Sequence, residues 1–197
     1  MEGIVDVMKV IDPVQRLYIT GTVTQEVTEA FLDTINKMEA DYGSPDLILE
    51  IDSMGGNWED CKSICCTIEK YKGRIFGLGT LNCSSAAFFI LQKCFYRSAY
   101  ENSKIVVHEI ALSGIPENRL TASVLQNLSS GKRNGLHKKV DEIIASLQKD
   151  NKRIAKFLSE RSGLSTQAVR NMMRSEHSVD PKNLLEKGFL DEIVYAF

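Results

Sequence analysis

Residues 73–109 read GRIFGLGTLNCSSAAFFILQKCFYRSAYENSKIVVHE. An apolar run from Ile75 to Leu81 leads into three small nucleophilic residues, Cys83, Ser84 and Ser85. Ala86 to Gln92 is rich in helix formers, and a second apolar run, Ile105 to Val107, ends on His108. The pattern is strand, nucleophile, helix, strand, histidine. A hydroxyl at a helix N-terminus sits among backbone N–H groups that lack intrahelical partners and favour negative charge. A histidine closing a neighbouring strand can serve that hydroxyl as general base. The stretch therefore predicts hydrolytic chemistry through a serine.

Upstream, the same alternation appears twice more. Arg16 to Thr20 reads as a short strand stopped by Gly21, after which Thr22 or Thr24 can cap a helix with Val27, Phe31, Ile35 and Met38 on one face. Gly43-Ser44-Pro45 breaks that helix. Leu47 to Ile51 is mostly apolar, as expected of a strand covered on both faces. It runs into Asp52-Ser53-Met54-Gly55-Gly56, and a helix follows with Trp58, Cys61, Ile64, Cys65, Ile68 and Tyr71 as its stripe. Paired glycines at such a junction serve a tight turn of positive φ, or let backbone approach a ligand with its N–H groups turned outward. Three strand–helix units imply an α/β fold of βαβ units. Sites in such sheets lie outside the carboxyl ends of the strands, where both the Gly55-Gly56 and Ser84-Ser85 turns fall.

Downstream of His108 come a Gly/Pro-containing loop, Ala111 to Pro116, a polar helical region to about Ser130, and a turn at 131–135. A long helical pattern from Leu136 to Leu158 sets Val140, Ile143, Ile144, Leu147, Ile154 and Phe157 on one face against a charged opposite face. It is either a surface helix on its own domain or an arm that packs on another subunit. Asn151 falls near the apolar stripe, where a polar residue can set packing register. Ser165 caps a shorter helix, and Asp180-Pro181 and Gly188 mark the start and stop of a last one, before a strand-like Phe189 to Val194.

Composition excludes several classes. A chain of 197 residues with 43% hydrophobic and 25% charged residues fits a single globular domain, 1–197. A net charge of −2 lacks the basic excess of a nucleic-acid binder. No apolar run reaches a membrane span, and the N-terminus lacks the pattern of a signal peptide. Five cysteines without a CxxC pair suit reduced thiols and a cytoplasmic location. Three histidines without zinc spacing give no metal site, and nothing calls for a cofactor.

Taken together, LYITGTV, LILEIDSMGG, SSAAFFI, ENSKIVVH and DPKNLLEKGFLDEIV, in that order, resemble the ClpP-type serine peptidases of the ClpP/crotonase fold, with the phage-type members nearest in pattern. The resemblance covers Arg16 to Val194 apart from Ala111 to about Lys156, and Met54 stands where the family's SPGG turn has proline. It implies stacked βαβ units with a projecting helical handle, an enlarged oligomerisation region at about 111–160, and endopeptidase activity inside a homo-oligomeric ring or pair of rings. It implies a triad of serine, His108 and an acid, Glu176, where bacterial ClpP carries aspartate; Asp180 is the competing acid, explained by helix capping. Ser85 keeps an ungapped register with Arg97, Asn102 and His108, Ser84 fits a Ser-x-x-Ala-Phe pattern, and Cys83 keeps ClpP's spacing from Gly79. Ser85 is the first choice, Ser84 the second, and Cys83 would make the nucleophile a thiol. The oxyanion hole implied is the N–H of Gly55 or Gly56 with that of Ala86. His177 and His137 read as surface residues. The short segment before Arg16 argues against an AAA+ unfoldase partner, since family members use long axial loops there. Two other readings fit: a catalytically silent ClpP-like assembly or regulatory subunit, and a crotonase-type acyl-CoA enzyme.

Overall fold

The computed structural model describes residues 15–111, 121–122, 125–126 and 136–195, with backbone only for 136–139. The expected polar helical region up to Ser130, apart from those four residues, and the turn at 131–135 lie outside the described residues, as does the segment before residue 15. The chain divides into two compact units. One runs to Val107 and resumes at His177; the other is His108–Glu176.

The first unit is built on a five-stranded, all-parallel sheet: β1 (Arg16–Val23), β2 (Leu47–Gly56), β3 (Ile75–Cys83), β4 (Tyr96–Tyr100) and β7 (Glu192–Val194), side by side in that order. The α/β expectation of βαβ units holds. Parallel strands need crossovers, and the first three are helices: α1 (Gln25–Tyr42), α2 (Trp58–Lys70) and α3 (Ala86–Lys93). Each begins where its sequence supplies an acceptor or a turn. Thr24 Oγ1 accepts from Val27 N–H, and Asn57 Oδ1 from Glu59 and Asp60 N–H. α1 ends at Gly43, which is left-handed (φ 71°).

β1 and β2 run longer than the sequence predicts. Gly21 does not stop β1; at φ 75° it makes an irregularity in register between Thr20 and Thr22, and the strand continues to Val23. The core is apolar and continuous: Leu47, Leu49 and Ile51 of β2 are fully buried. So is α3, where every residue from Ala86 to Gln92 is buried because the helix packs on β2, β3 and α2 together. Trp58 meets Phe89 edge-on at 5.7 Å, and Phe88 meets Phe189 at 5.9 Å.

The C-terminal segment returns to this unit through β6 (Ser178–Val179), α6 (Pro181–Glu186) and β7. Asp180 caps α6 with Pro181 first in the helix, as its sequence predicts. β7 is shorter than the expected Phe189–Val194, because Phe189 and Leu190 turn back with both N–H groups on Leu184 O. The segment is held by a buried clamp. Arg97 forks onto Asp191 (Nε–Oδ2 2.9 Å, Nη2–Oδ1 2.7 Å), and its Nη1 reaches Gln92 Oε1 and Gly188 O. Asp191 N–H answers to Arg97 O, and Gln92 Nε2 donates to Phe189 O.

The second unit contains α4 (Leu136–Ser162) packed on α5 (Thr166–Ser175). Its buried stripe is Ile144, Leu147, Asn151, Ile154, Ala155 and Leu158, facing Val169 and Met173. That stripe is rotated from the expected one: Ile143 is exposed, and Val140 and Phe157 are half-buried. Residues at 147, 151, 154 and 158 define a 3.6-residue face that leaves position 143 at its margin.

Candidate active site

Three backbone segments meet at the end of β3. Its last residues leave the central ladder: after Ile51–Gly79 the register with β2 jumps to Ser53–Cys83. Freed from that register, the strand end takes a new parallel neighbour, the segment entering β5 (Ile105–Val106). Lys104 N–H donates to Leu81 O, Cys83 N–H to Lys104 O, and Ser85 N–H to Val106 O. On its other side Ser84 N–H donates to Ser53 O, 3.0 Å away. Asp52 Oδ1 accepts from both Asn82 N and Nδ2, fixing β2 to the same strand end.

This lacing separates the three candidate nucleophiles. Cys83 is fully buried, and burial pushes its thiol well above the ordinary cysteine range. Ser84 is 2% exposed, and its hydroxyl is consumed: Oγ accepts from Val106 N–H at 3.0 Å and donates to Lys104 O at 3.2 Å. It replaces one rung of the ladder. Ser85 is half-buried at the head of α3, with φ 57° and ψ −125°, and its hydroxyl makes no capping bond. Those angles lie outside the regions that L-residues ordinarily occupy. A sharp strand-to-helix turn of this kind thrusts a serine hydroxyl out of the backbone.

The glycine turn lies against that serine. A Cβ built on Gly55 (φ 99°) would fall 2.6 Å from Ser85 Cβ and 2.9 Å from Ala86 N. Only a residue without a side chain allows this approach. The N–H of Gly55 is itself used, donating to Ser53 Oγ at 3.0 Å. Gly56 is exposed, and Asn57 N–H, not its own, bonds Val23 O. Of the two glycines expected to donate to an oxyanion, Gly56 therefore fits better, and Gly55 is the residue that makes room.

His108 and Glu176 belong to the other unit. His108 is half-buried, with Nδ1 2.8 Å from the carbonyl oxygen of Glu109. Glu109 N–H donates to Met173 O, and its carboxylate pairs with Arg174 Nε at 3.3 Å, which ties the histidine segment to α5. Glu176 is exposed and left-handed (φ 52°) at the end of α5. The chain segments on either side are paired: β5 and β6 form an antiparallel ladder with Ile105 opposite Val179 and Val106 opposite Ser178. Asp180 Oδ1 caps α6, and His177 is exposed. The side chain of His137 lies outside the described residues.

A family model described as Clp protease matches residues 2–196. The chain belongs to the Clp protease family. No curated protein matches it. The family's α/β fold, with its mostly parallel sheet, is the one seen here. Members are in general serine peptidases that form oligomeric rings and act on peptides. Among the described residues no group of histidine, cysteine and carboxylate could hold a metal, and no helix is long and apolar enough to cross a membrane. The sequence does not predict the clamp of Arg97 and Asp191; the only signal for it is a lone arginine after the apolar run Cys94-Phe95-Tyr96.

Proposed function

We propose that the chain is a serine endopeptidase that cleaves peptides or unfolded proteins in the cytoplasm, inside a chamber formed by copies of itself. Ser85 is its nucleophile, His108 its general base, and Glu176 the acid that orients the imidazole. The observation that carries this reading is the backbone of Ser85, an exceptional conformation that leaves the hydroxyl without a capping bond at a helix N-terminus, while the Ser84 hydroxyl is bonded and Cys83 is buried. A strained residue of this kind points to function.

The chemistry is acyl transfer. Ser85 Oγ attacks the peptide carbonyl as His108 Nε2 takes its proton, then returns it to the leaving amine. The charge that develops on the carbonyl oxygen is met by Ala86 N–H, the first of α3, and by Gly56 N–H. Chain connectivity supports the assignment of base, because Ser85 N–H is bonded to Val106, two residues before His108. A proton on Nδ1 directed at Glu109 O leaves Nε2 as the basic nitrogen. Glu176 as the acid that takes over this role is supported by chain connectivity, since His108 lies two residues after β5 and Glu176 two residues before its partner β6.

The deciding experiment is reaction of the assembled protein with a fluorophosphonate, with the adduct mapped by peptide mass spectrometry. An adduct on Ser85 that disappears in His108→Ala is expected. A well-assembled particle without adduct would instead support the silent-subunit reading.

A further inference from the structure

The second unit contains a cavity of about 520 Å³ between α4 and α5, within the size range of small-ligand pockets. Its charged lining is unbalanced. Lys149 and Lys152 lie three apart on α4, and Arg170 and Arg174 four apart on α5, so each pair presents to one side of its helix. Among the described lining residues the one carboxylate, Glu109, is already paired with Arg174. Asn151, 7% exposed, is also among the lining residues. Its Oδ1 accepts from Ile110 N–H at 2.9 Å, while its Nδ2 is buried with no partner among the described residues. A buried amide donor of this kind calls for an acceptor.

We propose that this cavity is a binding site for a multiply charged anion of the phosphate class. Guanidinium forks match phosphoryl oxygens two at a time, and lysines add point charge. A concave wall of low dielectric focuses the field of the cations more strongly than an open surface does. Asn151, in the same lining, adds a neutral amide beneath the cations. Four cations against one carboxylate match a diphosphate or the phosphate chain of a nucleotide better than a singly charged anion. The site stands whether or not Ser85 is catalytic. Glu109 and Arg174, which line it, are respectively one residue from His108 and two from Glu176 along the chain.

The test is calorimetric titration of the full-length protein with inorganic pyrophosphate and, separately, with magnesium-free ATP, both at fixed ionic strength. A single saturable site for each is expected, the two ligands competing, with affinity at least tenfold weaker in the double variant Lys152→Gln, Arg170→Gln. Those side chains are exposed and half-buried, so circular dichroism should show an unchanged fold. Asn151→Asp keeps an acceptor for Ile110 but turns a negative charge on the ligand, and loss of binding is expected there too. Absence of saturable binding, or full affinity in the folded double variant, would overturn the proposal. Binding of ATP with pyrophosphate silent would also overturn it, since a base rather than an anion would then be recognised.

Discussion

Ser85 and Gly55 have to be considered as a pair, because the serine's unusual backbone is possible only where the facing residue has no side chain. Alanine at 55 would place its Cβ within 2.6–2.9 Å of Ser85 Cβ, Ser84 O and Ala86 N, at a positive φ that already strains any L-residue. Gly55→Ala is expected to move the nucleophile and the Ala86 donor together. Loss of a single oxyanion donor typically costs about 10²–10³ in turnover, so peptidase activity should fall by at least that factor while the oligomer persists. Near-normal turnover of a folded Gly55→Ala protein would show that the turn does not shape the site. The acid is tested separately. His108 already has a carbonyl partner on Nδ1. If Glu176 takes over that proton, Glu176→Gln should lower kcat by up to about 10⁴, with KM little changed; an unaltered kcat would leave the orienting role with Glu109 O alone. Thiols offer a third check. Cys66 is exposed, whereas burial raises the Cys83 thiol's pKa and closes access to it. Iodoacetamide should modify Cys66 in the native protein and Cys83 only after unfolding. Native labelling of Cys83 would revive the thiol as nucleophile.

At the scale of elements, the site depends on β3 departing from its own sheet. The register break after Gly79 lets residues 81–85 take the β5 segment as a new neighbour, and Ser84 completes that ladder with a side chain. The strands and helices up to α3 were legible because apolar runs, caps and glycines there state local preferences that tertiary packing reinforces. The choice among Cys83, Ser84 and Ser85 was not legible. It rests on which of three adjacent residues points into the core, and a one-residue slip in a strand reverses every side chain. Nor was β4 foreseen: YRSAY lacks alternation, because Arg97 is buried and forks onto Asp191, nearly a hundred residues on. That clamp carries its own prediction. Removing one member of a buried ion pair leaves the other without compensation, at a cost of about 3–5 kcal/mol. Arg97→Ala leaves behind a partly exposed Asp191 and should fall at or below the lower end, whereas Asp191→Ala strands the buried Arg97 and should lie nearer the upper. Chemical denaturation would measure both, and equal, sub-kcal losses would mean that the clamp is ornamental to the β7 attachment.

For the molecule as a whole, the question is what covers its outer apolar side chains. Leu81, Tyr18, Phe95 and Tyr195 are 58–70% exposed, all in the unit that contains the sheet. Single exposed apolars are ordinary, yet Phe95 is not isolated: it packs edge-on against Phe76 at 5.6 Å, with the Arg74 guanidinium 5.5 Å over both rings. Aromatic rings with an arginine at their face are the composition of interface centres. Closed symmetry requires each such surface to meet a complementary one on another copy. If copies of the chain build a chamber, native mass spectrometry should find a multimer with no monomer at micromolar concentration. Leu81→Glu and Phe95→Glu, both on exposed side chains, should lower the mass without altering the circular dichroism spectrum. Because substrate would then no longer be enclosed, hydrolysis of unfolded proteins should fall further in these variants than hydrolysis of a short peptide. A wild-type protein that is monomeric at those concentrations yet reacts at Ser85 would separate the catalytic reading from the chamber, and only the former would stand.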